Sequence, residues 1–99
     1  NIKKRAIFMK TVTMKVTGLV QGVGFRWTTQ MVAQELGITG TVKNNPDGSV
    51  SIVAQGEELP LEHFIKKIKA SPSVAGHVDH VDLNTVSDAE KFTRFSVVY

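Results

Sequence analysis

The chain has 99 residues, 41% of them hydrophobic and 21% charged, with twelve Lys and Arg against nine Asp and Glu for a formal charge of +3. That composition fits one soluble domain with a modest core, and it excludes both a disordered chain and a membrane-spanning one, because no apolar run approaches the roughly 20 residues a bilayer requires. The absence of cysteine removes disulfides, thiol nucleophiles and cysteine-ligated metals, and favours a cytoplasmic location.

The start of the chain, Lys3-Lys4-Arg5 followed by Ala6 to Met9, has the charge order of an export signal, but Lys10 ends the apolar run after four residues, so export is not expected. The other basic residues are scattered among carboxylates instead of forming a stripe with aromatic platforms, so nucleic-acid binding is not expected either. From Thr11 to Thr17 apolar and polar residues alternate, with Val12, Met14 and Val16 on one face; this predicts a half-buried strand.

The run Val20 to Arg26, VQGVGFR, follows. It places Gly22, Gly24 and Arg26 where a strand passes into a helix. The first N–H groups of a helix have no intrahelical partners and carry the positive end of its dipole, and glycines let the backbone curl around an anion. Arg26 adds a permanent charge and a planar fork of donors. Spacing alone reads equally well as a plain glycine turn with a solvated arginine.

Phe25, Thr28 or Thr29, Val32 and Leu36 then recur at helical spacing, with Gly37 as the stop. Trp27 and Met31 fall on a separate stripe, where they are expected to cover a hydrophobic edge. Thr39 to Lys43 and Ser49 to Gln55 read as two strands joined by a turn at Asn44-Asn45-Pro46-Asp47-Gly48. A second helix follows Pro60, with Leu61, Phe64, Ile65 and Ile68 on its apolar face, and ends before Ser71-Pro72. His77 to Leu83 and Phe92 to Tyr99 are further strands; Val78 and Val81 are out of phase with each other, which points to a bulge or an edge. The order is that of an α+β, ferredoxin-like βαββαβ sandwich: a largely antiparallel sheet with both helices on one face and an additional C-terminal strand.

Several chemistries fail on the residues. The third glycine position of a dinucleotide fingerprint holds Trp27, and the residues after Gly24 are Phe25 and Arg26 instead of the Lys-Ser/Thr of a Walker loop. His77 and His80, three apart on a strand, are expected on opposite faces and not in a metal site with His63. No strained serine marks a hydrolytic triad. Asn44 alone reads as an ordinary turn asparagine.

Two segments together are more specific. GLVQGVGFR, from Gly18 to Arg26, and GTVKNNPDGSVSIVAQG, from Gly40 to Gly56, resemble the two signatures of the acylphosphatase family, and the resemblance covers nearly the whole chain after Met9. Thr41 departs from the pattern, which usually has an aromatic residue there, so packing near that strand is expected to differ. The resemblance implies an acylphosphatase-like domain at 10–99 behind an N-terminal extension or expression remnant at 1–9.

It further implies a monomeric enzyme, without metal or other cofactor, that hydrolyses acyl phosphates to a carboxylate and inorganic phosphate. By the same resemblance Arg26 and Asn44 are catalytic: Arg26 holds the phosphoryl oxygens and Asn44 positions the attacking water. Gln21, Gly22, Val23, Gly24, Phe25 and Arg26 form the phosphate-binding loop, and neither nucleic acid nor membrane is a partner. The alternatives are a non-catalytic anion-binding module, a domain that acts on a carbamoyl phosphate as acylphosphatase-like domains of larger maturation proteins do, or an RNA-binding module of the same fold. The strand centres lack the aromatic platforms that an RNA-binding sheet needs.

Overall fold

The structure, a computed structural model, describes residues 9–99; the extension expected at residues 1–9 lies outside them except for Met9. The elements are β1 (Met9–Leu19), α1 (Phe25–Leu36), β2 (Thr39–Asn44), β3 (Val50–Glu57), α2 (Glu58–Lys69), β4 (His77–Val86) and β5 (Phe95–Val98). They form one five-stranded sheet in the order β4-β1-β3-β2-β5. Every neighbouring pair is antiparallel except β2 and β5, which are parallel. The expected ferredoxin-like sandwich with an added C-terminal strand is therefore present.

The alternation in β1 gives the core its floor. Val12, Met14 and Val16 are buried, and Phe25 and Ala33 of α1 and Leu61, Phe64 and Ile68 of α2 close over them in a single cluster. Phe64 meets Phe95 edge to face, ring centroids 5.9 Å apart, which ties α2 to the last strand. The buried stripe of α1 is Phe25, Thr29 and Ala33, one residue round from the stripe centred on Val32 and Leu36, which are half-buried. Gly37 closes α1 in the left-handed conformation, and the next N–H, of Ile38, donates to Ala33 O at 2.8 Å. Gly40 permits close contact between strands, since a Cβ there would stand 1.8 Å from Val53 O.

The phase break in β4 is a bulge. Thr17 pairs with His80 but Gly18 with Val78, so Asp79 is the extra residue. The bulge puts Val78 and Val81 on the same, half-buried side. It also corrects the expectation for the histidines, because His77 opposes Leu19 and His80 opposes Thr17, two residues apart on one face of β1.

The connection from β4 to β5 is anchored by one buried side chain. Gln55 donates through Nε2 to Thr11 Oγ1 at 2.9 Å and to Glu90 O at 3.0 Å, and its Oε1 accepts from Phe92 N–H at 3.0 Å. Both amide hydrogens and the oxygen are engaged, by Thr11 of β1 and by the segment Glu90 to Phe92, which fixes where β5 begins.

The β2–β3 turn is equally defined. Gly48 N–H donates to Asn45 O at 3.1 Å and Asn45 N–H to Ser49 O at 2.8 Å. Asp47 Oδ1 accepts from Ser49 N–H at 2.9 Å and from the Ser49 hydroxyl at 2.5 Å, while Oδ2 meets Lys15 Nζ at 3.0 Å. The Ser49 hydroxyl first, then its N–H and then Lys15, hold the Asp47 carboxyl well below the usual carboxylate range. A carboxyl with a depressed native pKa stabilises the fold above its unfolded value of about 4 and loses that contribution as the pH falls towards the native value. Asp47→Asn is accordingly expected to lower the urea midpoint near neutral pH, and the gap from the parent should close as the pH falls from about 4 towards 2. Urea titrations across that range test this; a gap independent of pH would refute it.

Candidate active site

The loop from Gln21 to Gly24 carries the chain from the end of β1 into α1, and its conformation decides what it can bind. Gly22 and Gly24 both have φ of 75°, and a Cβ at either position would meet nothing within 4 Å. The loop therefore turns its open side to a cleft and not to packed protein. Gly24 is the N-cap of α1, with no side-chain cap and no acidic residue in the first turn.

Two of the loop's carbonyl oxygens are taken up by the protein itself. Val23 O accepts from Ser73 Oγ at 2.5 Å, and Gly24 O accepts from Thr28 N–H and from the Thr28 hydroxyl, each at 3.0 Å. Among the described residues nothing accepts a hydrogen bond from the N–H groups of Gly22 through Arg26. Donors left free at the positive end of a helix, with the neighbouring carbonyls engaged elsewhere, make an anion site.

These residues line a cleft of about 710 Å³, together with Asn44 at the end of β2 and Tyr99 beyond β5. The Arg26 guanidinium lies over the Tyr99 ring, 4.8 Å from its centroid, an arrangement that holds the charge at the cleft mouth without neutralising it. Asn44 lines the same wall, and its Oδ1 is buried with no hydrogen-bond partner among the described residues. A buried acceptor left unpaired costs about 1–3 kcal/mol unless something supplies the missing donor.

The predicted site residues thus divide by what they do. Gly22, Gly24, Phe25, Arg26 and Asn44 come together around the cleft, with the Phe25 side chain buried in the core. Val23 packs its side chain against the core and adds its backbone to the loop. Gln21 lines the cleft, but its amide is committed elsewhere: Nε2 donates to Asn45 O and to Ser49 O, both at 2.8 Å. The glycine loop and the turn beside Asn44 are joined by this one side chain.

Among the cleft residues missed or read otherwise from sequence are Trp27, Tyr99 and Arg94. Trp27, expected to cover a hydrophobic edge, is 63% exposed and lines the cleft. Tyr99 and Arg94 also line it, and neither is near Arg26 in sequence. The only signal for them was the aromatic end of the last strand. Thr41, the departure from the family pattern, is half-buried between Val53 and Ser96.

Comparison with known proteins shows the family. The family profile for acylphosphatase matches residues 12–97. An acylphosphatase of Lactobacillus gasseri is 98% identical over 91 residues, covering 92% of this chain and 100% of the relative. The chain belongs to the acylphosphatase family. It is a hydrolase that splits the carboxyl–phosphate bond of acyl phosphates to give a carboxylate and inorganic phosphate, which sets aside the RNA-binding and non-catalytic readings.

The crystal structure of acylphosphatase from Bacillus subtilis matches with a TM-score of 0.87 at 37% identity, over 93% of this chain and 100% of that one. A full-length HypF, solved in a phosphate- and nucleotide-bound form, matches with a TM-score of 0.88 at 30% identity, over 97% of this chain but 12% of its own length. The same unit therefore also occurs as a small part of a larger protein.

The Gln21 bridge leads to a test. Gln21→Ala removes two hydrogen bonds while each carbonyl keeps its N–H partner within the turn, and a loss of roughly 1–2 kcal/mol in unfolding free energy is expected. Turnover should fall as well, because the loop and Asn44 are no longer held in register. Urea unfolding together with phosphate release checks both, and a variant with parental turnover would show that the bridge does not align the site.

Proposed function

We propose that the phosphoryl group of the substrate rests on the N–H groups from Gly22 to Arg26 with the Arg26 guanidinium beside it, and that Asn44 orients the water that attacks phosphorus. The observation that best supports this is Asn44 itself, which lines the cleft that the glycine loop opens into and whose side-chain oxygen is buried with no partner among the described residues. A water that donates to Oδ1 satisfies this acceptor and turns a lone pair towards the phosphoryl group.

In the step itself the water oxygen bonds to phosphorus while the bond from phosphorus to the acyl oxygen breaks, and the carboxylate leaves with the electron pair. The water's proton passes to a phosphoryl oxygen. Among the described residues no His, Cys, Asp or Glu side chain lines the cleft, which supports the phosphate itself as the proton acceptor. An acyl phosphate already has a good leaving group, so positioning and stabilisation of negative charge are sufficient, and on this reading the reaction needs neither a metal nor a cofactor.

The same reading takes the protein as a cytoplasmic monomer. A cysteine-free chain suits a reducing compartment, and the edge strand β4 carries His77, Asp79, His80 and Asp82, charges and imidazoles that discourage pairing with a second sheet edge.

The experiment is phosphate release from acetyl and benzoyl phosphate in the presence of EDTA, with circular dichroism to confirm folding. Asn44→Ala is expected to cost about 2–4 kcal/mol of transition-state stabilisation, chiefly in kcat. Arg26→Ala removes a charge-assisted contact worth about 1.5–3 kcal/mol in binding alone, so inhibition by phosphate should weaken along with turnover. Parental turnover in folded Asn44→Ala, or undiminished phosphate inhibition in Arg26→Ala, would overturn the assigned roles.

A further inference from the structure

The cleft is longer and more positive than one phosphoryl group requires. Its volume of about 710 Å³ lies in the range that encloses a larger organic ligand. It follows the groove between α1 and β5, whose directions are fixed by two contacts: Arg26 over Tyr99 at one end, and Gln30 Nε2 donating to Phe95 O at 3.1 Å in the middle. One turn further along α1 stands Gln34, and one residue before Phe95 stands Arg94; both line the cleft. Eight residues of helix separate Arg26 from Gln34, so at about 1.5 Å per residue the two ends lie roughly 12 Å apart.

Arg94 is exposed and makes no ion pair among the described residues, and none of the described residues lining the cleft is an Asp or Glu. Its backbone is nevertheless well anchored. Arg94 O accepts from Gly40 N–H at 2.9 Å, and the next residue, Phe95, is buried in the core. A fixed backbone carrying an uncompensated guanidinium into a cleft offers a planar donor fork to a carboxylate or phosphate.

The geometry points to Arg94 as a specificity residue that binds a second anionic group at the far end of the acyl chain. The preferred substrates are then acyl phosphates whose acyl part itself ends in an anion. This rests on the placement of the phosphoryl group at the start of α1. The Arg94 contact lies remote from the reacting bond and is the same in the ground and transition states, so it acts on KM and leaves kcat unchanged.

The test compares acyl phosphates of four, six and eight carbons that end in a carboxylate with neutral acyl phosphates of equal length. In the parent, kcat/KM for the best carboxylate-ended substrate should exceed that of its neutral counterpart by roughly tenfold. Arg94→Gln should reduce that ratio to about one through KM, with acetyl phosphate turnover unaltered, and Arg94→Lys should restore part of the preference. Added salt should erode the parent's preference, because the contact is open to solvent.

A ratio unchanged in folded Arg94→Gln, or no preference in the parent, overturns the proposal. So does an equal loss on acetyl phosphate, which would make Arg94 a general attractor of anions. Failure of the phosphoryl placement is separately visible as retained turnover and phosphate inhibition in the Arg26 and Asn44 variants.

Discussion

The site depends on the direction in which one short stretch of backbone faces. Between Gly22 and Arg26 the N–H groups are open to the cleft, while the carbonyls of Val23 and Gly24 are engaged by Ser73 and Thr28. Had either carbonyl faced the cleft, its partial negative charge would have opposed any anion drawn to the N–H groups. The contrast with α2 is instructive. That helix has Glu58 in its first turn and Lys66, Lys67 and Lys69 in its last, the distribution its dipole favours. In α1 the first turn has no acidic residue and the cap has no side chain, so the stabilisation that a carboxylate supplies to α2 is left for a ligand to supply to α1.

Topology brings the second half of the site to the first. The strand order places β3 between β1 and β2, so the loop leaving β1 and the turn leaving β2 emerge at the same end of the sheet, separated by the width of one strand. Gln21 closes that separation by donating to the carbonyls of Asn45 and Ser49. The neighbours of Asn44 are thus tied directly to the glycine loop. At the other edge β5 runs parallel to β2, which delivers Tyr99 to the level of Arg26 and Arg94 to the far end of the groove. Gln55 sets where that strand starts, and through it the position of both.

What was legible in the sequence follows from the range of the interactions. Both helices, the turn after Asn44 and the glycine entry to α1 are specified by residues close to one another in the chain, and spacing revealed them. Arg26 and Asn44 needed more, since each alone has an ordinary explanation, and only the paired signatures joined them. Gln21 could be placed in the loop, but nothing local says that its amide crosses 24 and 28 residues to the turn. Arg94 and Tyr99 reach the cleft through parallel pairing of β5 with β2, a contact with no signature in either strand. The histidines show the reverse case. A period of two would put His77 and His80 on opposite faces, and the single extra residue at Asp79 cancels that inference.

The same features that make the cleft receptive are local costs to the free fold. A helix start capped by Gly24 forgoes only a few tenths of a kcal/mol against a capping side chain, and the unpaired Asn44 oxygen adds about 1–3 kcal/mol. The chain offsets them nearby: Phe25, the first residue of α1, is 1% exposed in the core, and the Ser73 hydroxyl secures the loop from behind. Burial of one large aromatic side chain is worth about 1.5–3 kcal/mol, which matches the combined cost. The residue that begins the helix whose N–H groups face the cleft is therefore also the one that holds it to the sheet, so the donors can stay unsatisfied without the loop collapsing to satisfy them.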